Sequence, residues 1–242
     1  MQLCPFRVIG RTRERFKTMK REYISLYWIG AGCVAIAFSI VVLPSVPSQD
    51  DVYVGRMLRE ARSADLLPKR SQDVRVICFF DVECPWCAKN VPEYVDILRS
   101  RQQEHHGVNI SFELRHYPLD VKCNPLGTTP RATMACEGAV VLEAVADRYG
   151  PGKTLSAAMA VMRATPKSRS LMARIVNIDE EWITANHQRL LEKVNADIDL
   201  GLSHGVLGTP AVVVNGLRLR SPTPKVFGAV LDREIERITQ PR

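Results

Sequence analysis

The chain carries one Cys-x-x-Cys and no second, and no pair of histidines at ligand spacing stands ready to complete a zinc site with it. No His follows the second cysteine of that motif: Ala88 occupies the place, which excludes c-type haem attachment. The formal net charge is +7, yet five of those charges belong to the first 22 residues, where Arg7, Arg11, Arg13, Arg15, Lys17, Lys20 and Arg21 outnumber Glu14 and Glu22. The remainder is nearly neutral, and a nucleic-acid partner loses its electrostatic motive. From Asp120 to about Leu200 no strand pattern occurs, so some eighty residues contribute helix alone.

What is present is organised around Val74 to Pro92. An apolar run of strand length, Val74 to Phe80, passes through a short acidic turn into Cys84-Pro85-Trp86-Cys87, and a helical pattern follows. Two cysteines therefore stand on the first turn of a helix at the end of a buried strand. Free amide N–H groups and the helix dipole make that position electropositive, which favours thiolate over thiol. A thiolate is the nucleophile of thiol-disulfide exchange, and a partner three residues on can resolve the mixed disulfide it forms. Pro85 suits the first helical position, where its fixed φ is right and its missing N–H costs nothing.

In chain order, the basic tail (residues 1–22) precedes 21 residues without a charge, Tyr23 to Leu43. At about 1.5 Å per residue they just cross a hydrocarbon core of roughly 30 Å. Residues 23–44 are therefore expected to be an uncleaved anchor rather than a signal peptide, because Val46-Pro-Ser48 is a poor cleavage site. The basic tail is expected in the cytoplasm and everything after Pro44 on the far side, the periplasm or another extracytoplasmic space. Cys33 falls within the span and Cys4 in the tail. Residues 45–53 read as a linker, and Val54 to Leu67 as an amphipathic lead-in helix.

The helix that begins at Cys84 holds Pro92 in its interior and runs to about His105-His106-Gly107. Val108 to Arg115 alternates as a strand, so strand, helix and strand form a parallel β-α-β unit. Helices are expected over Thr129 to Tyr149, Leu155 to Ala164, Ser168 to Val176 and from Asp179 to about Leu200. Gly208-Thr-Pro210 leads a short buried strand to Val214, Asn215-Gly216 makes a hairpin turn, and Leu217-Arg-Leu219 returns. Thr223 to Ile238 closes the chain as an amphipathic helix.

A Cys-x-x-Cys helix with Pro eight residues after the first cysteine, and much later Gly-x-Thr-Pro before a strand and an Asn-Gly hairpin, resembles the thioredoxin fold. With the helical insert at about 120–200, the resemblance narrows to the DsbA-like disulfide oxidoreductases. Tyr117-Pro-Leu-Asp120, Cys123-Asn124 and Ala135-Cys136 resemble thioredoxin-like domains associated with vitamin K epoxide reductase-type membrane oxidases. The resemblance implies an α/β thioredoxin-like domain over residues 54–242. It implies Cys84 as the exposed attacking thiolate, Cys87 as the shielded resolving thiol, and Thr209 and cis Pro210 as a loop that faces the disulfide and pairs with extended substrate, beside Pro85 and Trp86. Two positions depart from the family. Cys78 stands where a buried carboxylate is often found six residues before the first cysteine, which leaves proton transfer to water, Glu83 or Asp81. Trp86 stands where strongly oxidising members place His, so a milder oxidant is expected. Lys89 should lower and Glu83 raise the thiol pKa, and the sequence does not rank them.

The expected function is a membrane-anchored extracytoplasmic thiol-disulfide oxidoreductase acting on cysteine-containing proteins, without cofactor or metal, and reoxidised by a quinone-linked membrane oxidase. The alternatives are a reductase or isomerase supplied with electrons across the membrane by a reductant transporter, and a soft-metal module using both cysteines for Cu(I). On an oxidising side of the membrane, exposed thiols are seldom left unpaired. A disulfide between Cys123 and Cys136 is expected on that ground, either structural or as a second redox pair, against two independent buried thiols.

Overall fold

The computed structural model describes residues 53–54, 58, 62–70, 72–128, 134–165 and 167–240. The basic tail, the expected membrane span with Cys4 and Cys33, and most of the linker lie outside them. Among the described residues no helix is long and apolar enough to cross a membrane.

β1 (Asp73–Phe80) is the centre of a four-stranded sheet of order β2-β1-β3-β4. It runs parallel to β2 (Asn109–His116), and antiparallel to β3 (Ala211–Val214), which pairs antiparallel with β4 (Leu217–Arg218). Between β1 and β2 lies α1 (Pro85–Glu104), the helix of the expected parallel crossover, which continues through Pro92 without interruption. Val76 to Phe80 are all buried, with no alternation, because β1 is covered on both faces. α1 packs on α6 (Pro224–Thr239), and α5 (Glu180–Ser203) reaches β2 from the insert.

The insert is helical. α2 (Ala135–Tyr149) buries nine residues and keeps Glu137, Glu143 and Asp147 for ion pairs with Arg169, Lys193 and Arg189. It packs against α3 (Thr154–Arg163), α4 (Arg169–Ile175) and α5, which cover its wide apolar face. α5 approaches the sheet closely at Gly201, where a Cβ would stand 2.7 Å from the Tyr117 ring. The Tyr117 hydroxyl donates to the Val206 carbonyl at 2.6 Å, joining the end of β2 to the segment that leads into β3.

At the hairpin, Asn215 (φ 47°) and Gly216 (φ 77°) are both left-handed, as a two-residue turn with the strands' twist requires. Asn215 Oδ1 accepts the Arg75 N–H, and its Nδ2 donates to Glu234, which is fully buried. Burial raises the Glu234 pKa, but hydrogen bonds from Arg62, Asn215 and Arg237 outweigh it and hold the carboxyl below its ordinary value.

The lead-in is not one helix to Leu67. Tyr53 and Val54 are helical, but Ser63 is extended and only Ala64–Leu66 form a single 3-10 turn. Two pulls account for this: Pro68 disfavours helix at Leu67, and Ser63 N–H and Arg62 are drawn to the hairpin, bonding Gly216 O at 2.9 Å and Asn215 O at 3.0 Å.

Candidate active site

β1 delivers the chain to a turn, Asp81-Val82-Glu83, and Cys84 follows as the N-cap of α1 with Pro85 at the first helical position. Cys84 and Cys87 are both free thiols. They are unequal: Cys84 is 7% exposed and borders a cavity, whereas Cys87 is fully buried. Thr209 and Pro210, distant in sequence, are brought against the first cysteine. The Thr209–Pro210 peptide is cis, and the Cys84 thiol donates to the Thr209 carbonyl at 3.3 Å.

Electrostatics separate the cysteines further. The Cys84 pKa is lowered to about 6, first by the hydrogen bond from the Cys87 thiol. Burial opposes this, while the Thr209 side chain and the N–H groups of Cys87 and Trp86 add to it. The Thr209 hydroxyl is buried without a hydrogen-bond partner among the described residues, so the sulfur is the acceptor it has in reach once the thiol ionises. Lys89 and Glu83, whose opposition the sequence left open, are not among the leading causes; Lys89 stands over the Trp86 ring, 5.8 Å from its centroid. For Cys87, burial and the hydrogen bond to Cys84 push the pKa well above its ordinary value. Cys78, wholly buried in β1, is pushed to about 12, chiefly by desolvation. An attacking thiolate, a protonated resolving thiol and a silent core thiol are what this arrangement can supply at neutral pH.

Trp86 is 62% exposed and, with Thr209, borders two cavities. On one side is a cavity of about 500 Å³ lined by Asp81, Cys84, Leu119, Thr165 and Lys167. On the other is one of about 580 Å³ lined by Lys89, Glu93, Pro210 and Pro222. The first of these walls was not foreseen. Leu119 and Lys167 come from the loop after β2 and from beyond α3, and no local pattern marks them. Asp81 is 3% exposed; desolvation raises its pKa, and its oxygens accept the N–H groups of Glu83 and Leu119 at 2.7 and 2.8 Å.

Cys123 and Cys136 are joined in a disulfide, with Cα atoms 6.1 Å apart. A separate cluster of His116, Glu143 and Asp197 brings potential metal-ligand atoms within 4.8 Å of one another. Its groups already have partners: Asp197 accepts from Arg115 and from the His116 amide, His116 meets Glu143 at 3.2 Å, and Lys193 lies beside Glu143. It is an ion-pair network joining β2 to α2 and α5.

A search of the curated proteins returns no match. Among solved structures, oxidised BdbD from Bacillus subtilis superposes with a TM-score of 0.53 at 16% identity, over 72% of this chain and 96% of that one. The oxidoreductase NmDsbA1 from N. meningitidis gives a TM-score of 0.48 at 16% identity, over 73% and 90% of the two chains. A thioredoxin-like oxidoreductase from Silicibacter pomeroyi DSS-3 gives 0.48 at 23% identity, over 66% and 85%. At such identities the BdbD likeness speaks for the fold. The family is shown by the thioredoxin family model, which matches residues 69–233 and so spans the sheet, Cys84 and Cys87 and the helical insert: the chain belongs to the thioredoxin family.

Proposed function

We propose that the protein is a membrane-anchored, extracytoplasmic thiol-disulfide oxidoreductase that introduces disulfides into cysteine-containing proteins through Cys84 and Cys87. The observation that carries the reading is the asymmetry of the pair: Cys84 borders the cavity and bonds the Thr209 carbonyl, whereas Cys87 is sealed beneath it. In the oxidised enzyme a substrate thiolate attacks Cys84 Sγ. The Cys84–Cys87 bond breaks and Cys87 leaves as a thiolate that takes up a proton. A second substrate thiolate then attacks the substrate sulfur of the mixed disulfide, and Cys84 leaves. The substrate loses two electrons to become a disulfide and its two thiol protons pass to solvent; the enzyme gains the electrons, Cys87 takes up one proton and Cys84 stays a thiolate at neutral pH.

A leaving thiolate is better the lower its pKa, and a stabilised thiolate favours the reduced enzyme. Both favour the oxidising direction, with a membrane oxidase linked to quinone as the acceptor that restores the disulfide. The uncharged 21-residue run behind a basic tail supports anchoring with the catalytic domain outside the cytoplasm. Oxidised protein mixed with a reduced, unfolded dithiol substrate is expected to transfer one disulfide per enzyme, and Cys84→Ser to transfer none. Equilibration with a glutathione buffer gives the direction: a potential toward about −120 mV fits the oxidase, and one near about −270 mV would turn the reading to a reductase.

A further inference from the structure

The three residues before Cys84 are each held by the polypeptide around the second disulfide. Asp81 Oδ2 accepts the N–H of Leu119, four positions before Cys123. Glu83 Oε2 accepts the N–H of Met134, two positions before Cys136, at 3.1 Å. Val82, between them, lies over Gly138, two positions after Cys136, where an added Cβ would stand 2.4 Å from Val82 Cγ2. The same turn feeds the active cysteine directly, since the Cys84 N–H donates to the Asp81 carbonyl at 3.2 Å.

Leu119 and Met134 belong to separate segments, one after β2 and one before α2, and the Cys123–Cys136 bond ties those segments together. Further bonds tighten the Leu119 side. Asn124 is fully buried, its Nδ2 donates to the Pro118 carbonyl, and its backbone N–H bonds the Asp120 carbonyl. Leu119 itself lines the cavity beside Cys84. The bond thus connects the two supports of one turn.

We propose that the Cys123–Cys136 disulfide is a positioning element of the active site, which holds Leu119 and Met134 at the spacing that Asp81 and Glu83 need to fix the turn ahead of Cys84, and so sets the reactivity of that cysteine. Asp81 and Glu83 are the positioning residues through which it acts. The donors that stabilise the Cys84 thiolate, the Cys87 thiol and the first amides of α1, lie downstream of this turn. A looser turn gives them poorer geometry and Cys84 a smaller thiolate fraction. The charged and titratable groups facing the turn are Asp81, Glu83, Asp120 and Lys167, and all are retained when the disulfide alone is removed.

The inference rests on Cys84 being the attacking thiol, and one experiment separates the two. The rate of iodoacetamide labelling at Cys84 is followed against pH in reduced parent protein and in Cys123→Ser/Cys136→Ser, with Cys123 and Cys136 of the parent kept paired by a mild reductant. The double variant is expected to show its midpoint displaced upward by about half to one pH unit, which is roughly two- to fivefold slower labelling near pH 6. Glu83→Ala is then combined with it, and the displacement is expected to shrink in that background because one of the two links is already gone. Should the double variant fail to fold, Gly138→Ala, which displaces Val82 and leaves the disulfide intact, is expected to move the midpoint in the same direction. An unchanged midpoint with a lowered melting temperature, or a displacement undiminished by Glu83→Ala, overturns the inference alone. Parent label predominantly on Cys87 overturns it together with the roles assigned to the two cysteines.

Discussion

Replacing Cys87 by Ala removes the donor that does most to stabilise the Cys84 thiolate. A hydrogen bond to a charged acceptor contributes about 1.5–3 kcal/mol, and one pKa unit corresponds to about 1.4 kcal/mol. Losing this one should raise the Cys84 pKa from about 6 by roughly one to two units. The Thr209 hydroxyl and the first amides of α1 remain and keep it below the ordinary thiol value. At pH 7 the thiolate then falls from about nine-tenths of the population to between about a tenth and a half. The ultraviolet absorbance of the thiolate, followed against pH in a chain with Cys4 and Cys33 changed to Ser, reads this directly. Cys78 stays silent because its pKa is pushed to about 12, and Cys123 and Cys136 do not titrate while bridged. Cys87→Ser, which restores a donor, should bring the midpoint most of the way back. If Cys87→Ala titrates at about the parent value, the hydrogen bond is not what stabilises the thiolate and the amides must be credited instead.

Three further outcomes follow from the same geometry. Brief alkylation of reduced protein at neutral pH should mark Cys84 and spare Cys87 and Cys78, as peptide mapping will tell, because the latter two are sealed in the core. The depressed Cys84 pKa stabilises the reduced fold fully only above the thiol's unfolded value, and that stabilisation drains away as pH falls through about 6. Denaturant titrations of reduced protein against Cys84→Ala should show a difference of about 1 kcal/mol at pH 7, after allowance for solvent screening, that vanishes by about pH 5. Changing Cys123 and Cys136 to Ala should lower stability by about 3 kcal/mol, since the bond closes a short loop in the unfolded chain; an unchanged denaturation midpoint would remove that entropic account.

The elements of the fold were legible where local chemistry decides them. The apolar run of β1 from Val76 to Phe80, the alternation of β2, the Asn215-Gly216 turn and the acidic start of α5 each carry their conformation in a few adjacent residues. The break before Leu67 was not legible, because Ser63 and Arg62 answer to Gly216, Asn215 and Glu234 far along the chain. The same limit governs the site. Cys84, Cys87 and Pro210 announce themselves through spacing, but the cavity wall of Leu119, Thr165 and Lys167 exists only once the insert has packed against the domain. Asp81 could be seen to be acidic; that it is buried and spans from the active-site turn to the β2 loop could not.

The sheet ends in two edges, β2 and β4, and on the proposed function, in which unfolded chains are the clients, there is a particular reason to keep them unattractive. A bare edge is a template on which an extended polypeptide can add itself and then recruit others. β4 is two residues long, and β2 carries Glu113 held between Arg75 and Arg115. Both edges are therefore poor landing places for a client strand. On the proposed function, the backbone of Thr209, beside the Cys84 sulfur, is where such a strand would meet the protein with something to gain, and a client that presents no cysteine there would find little else to hold it.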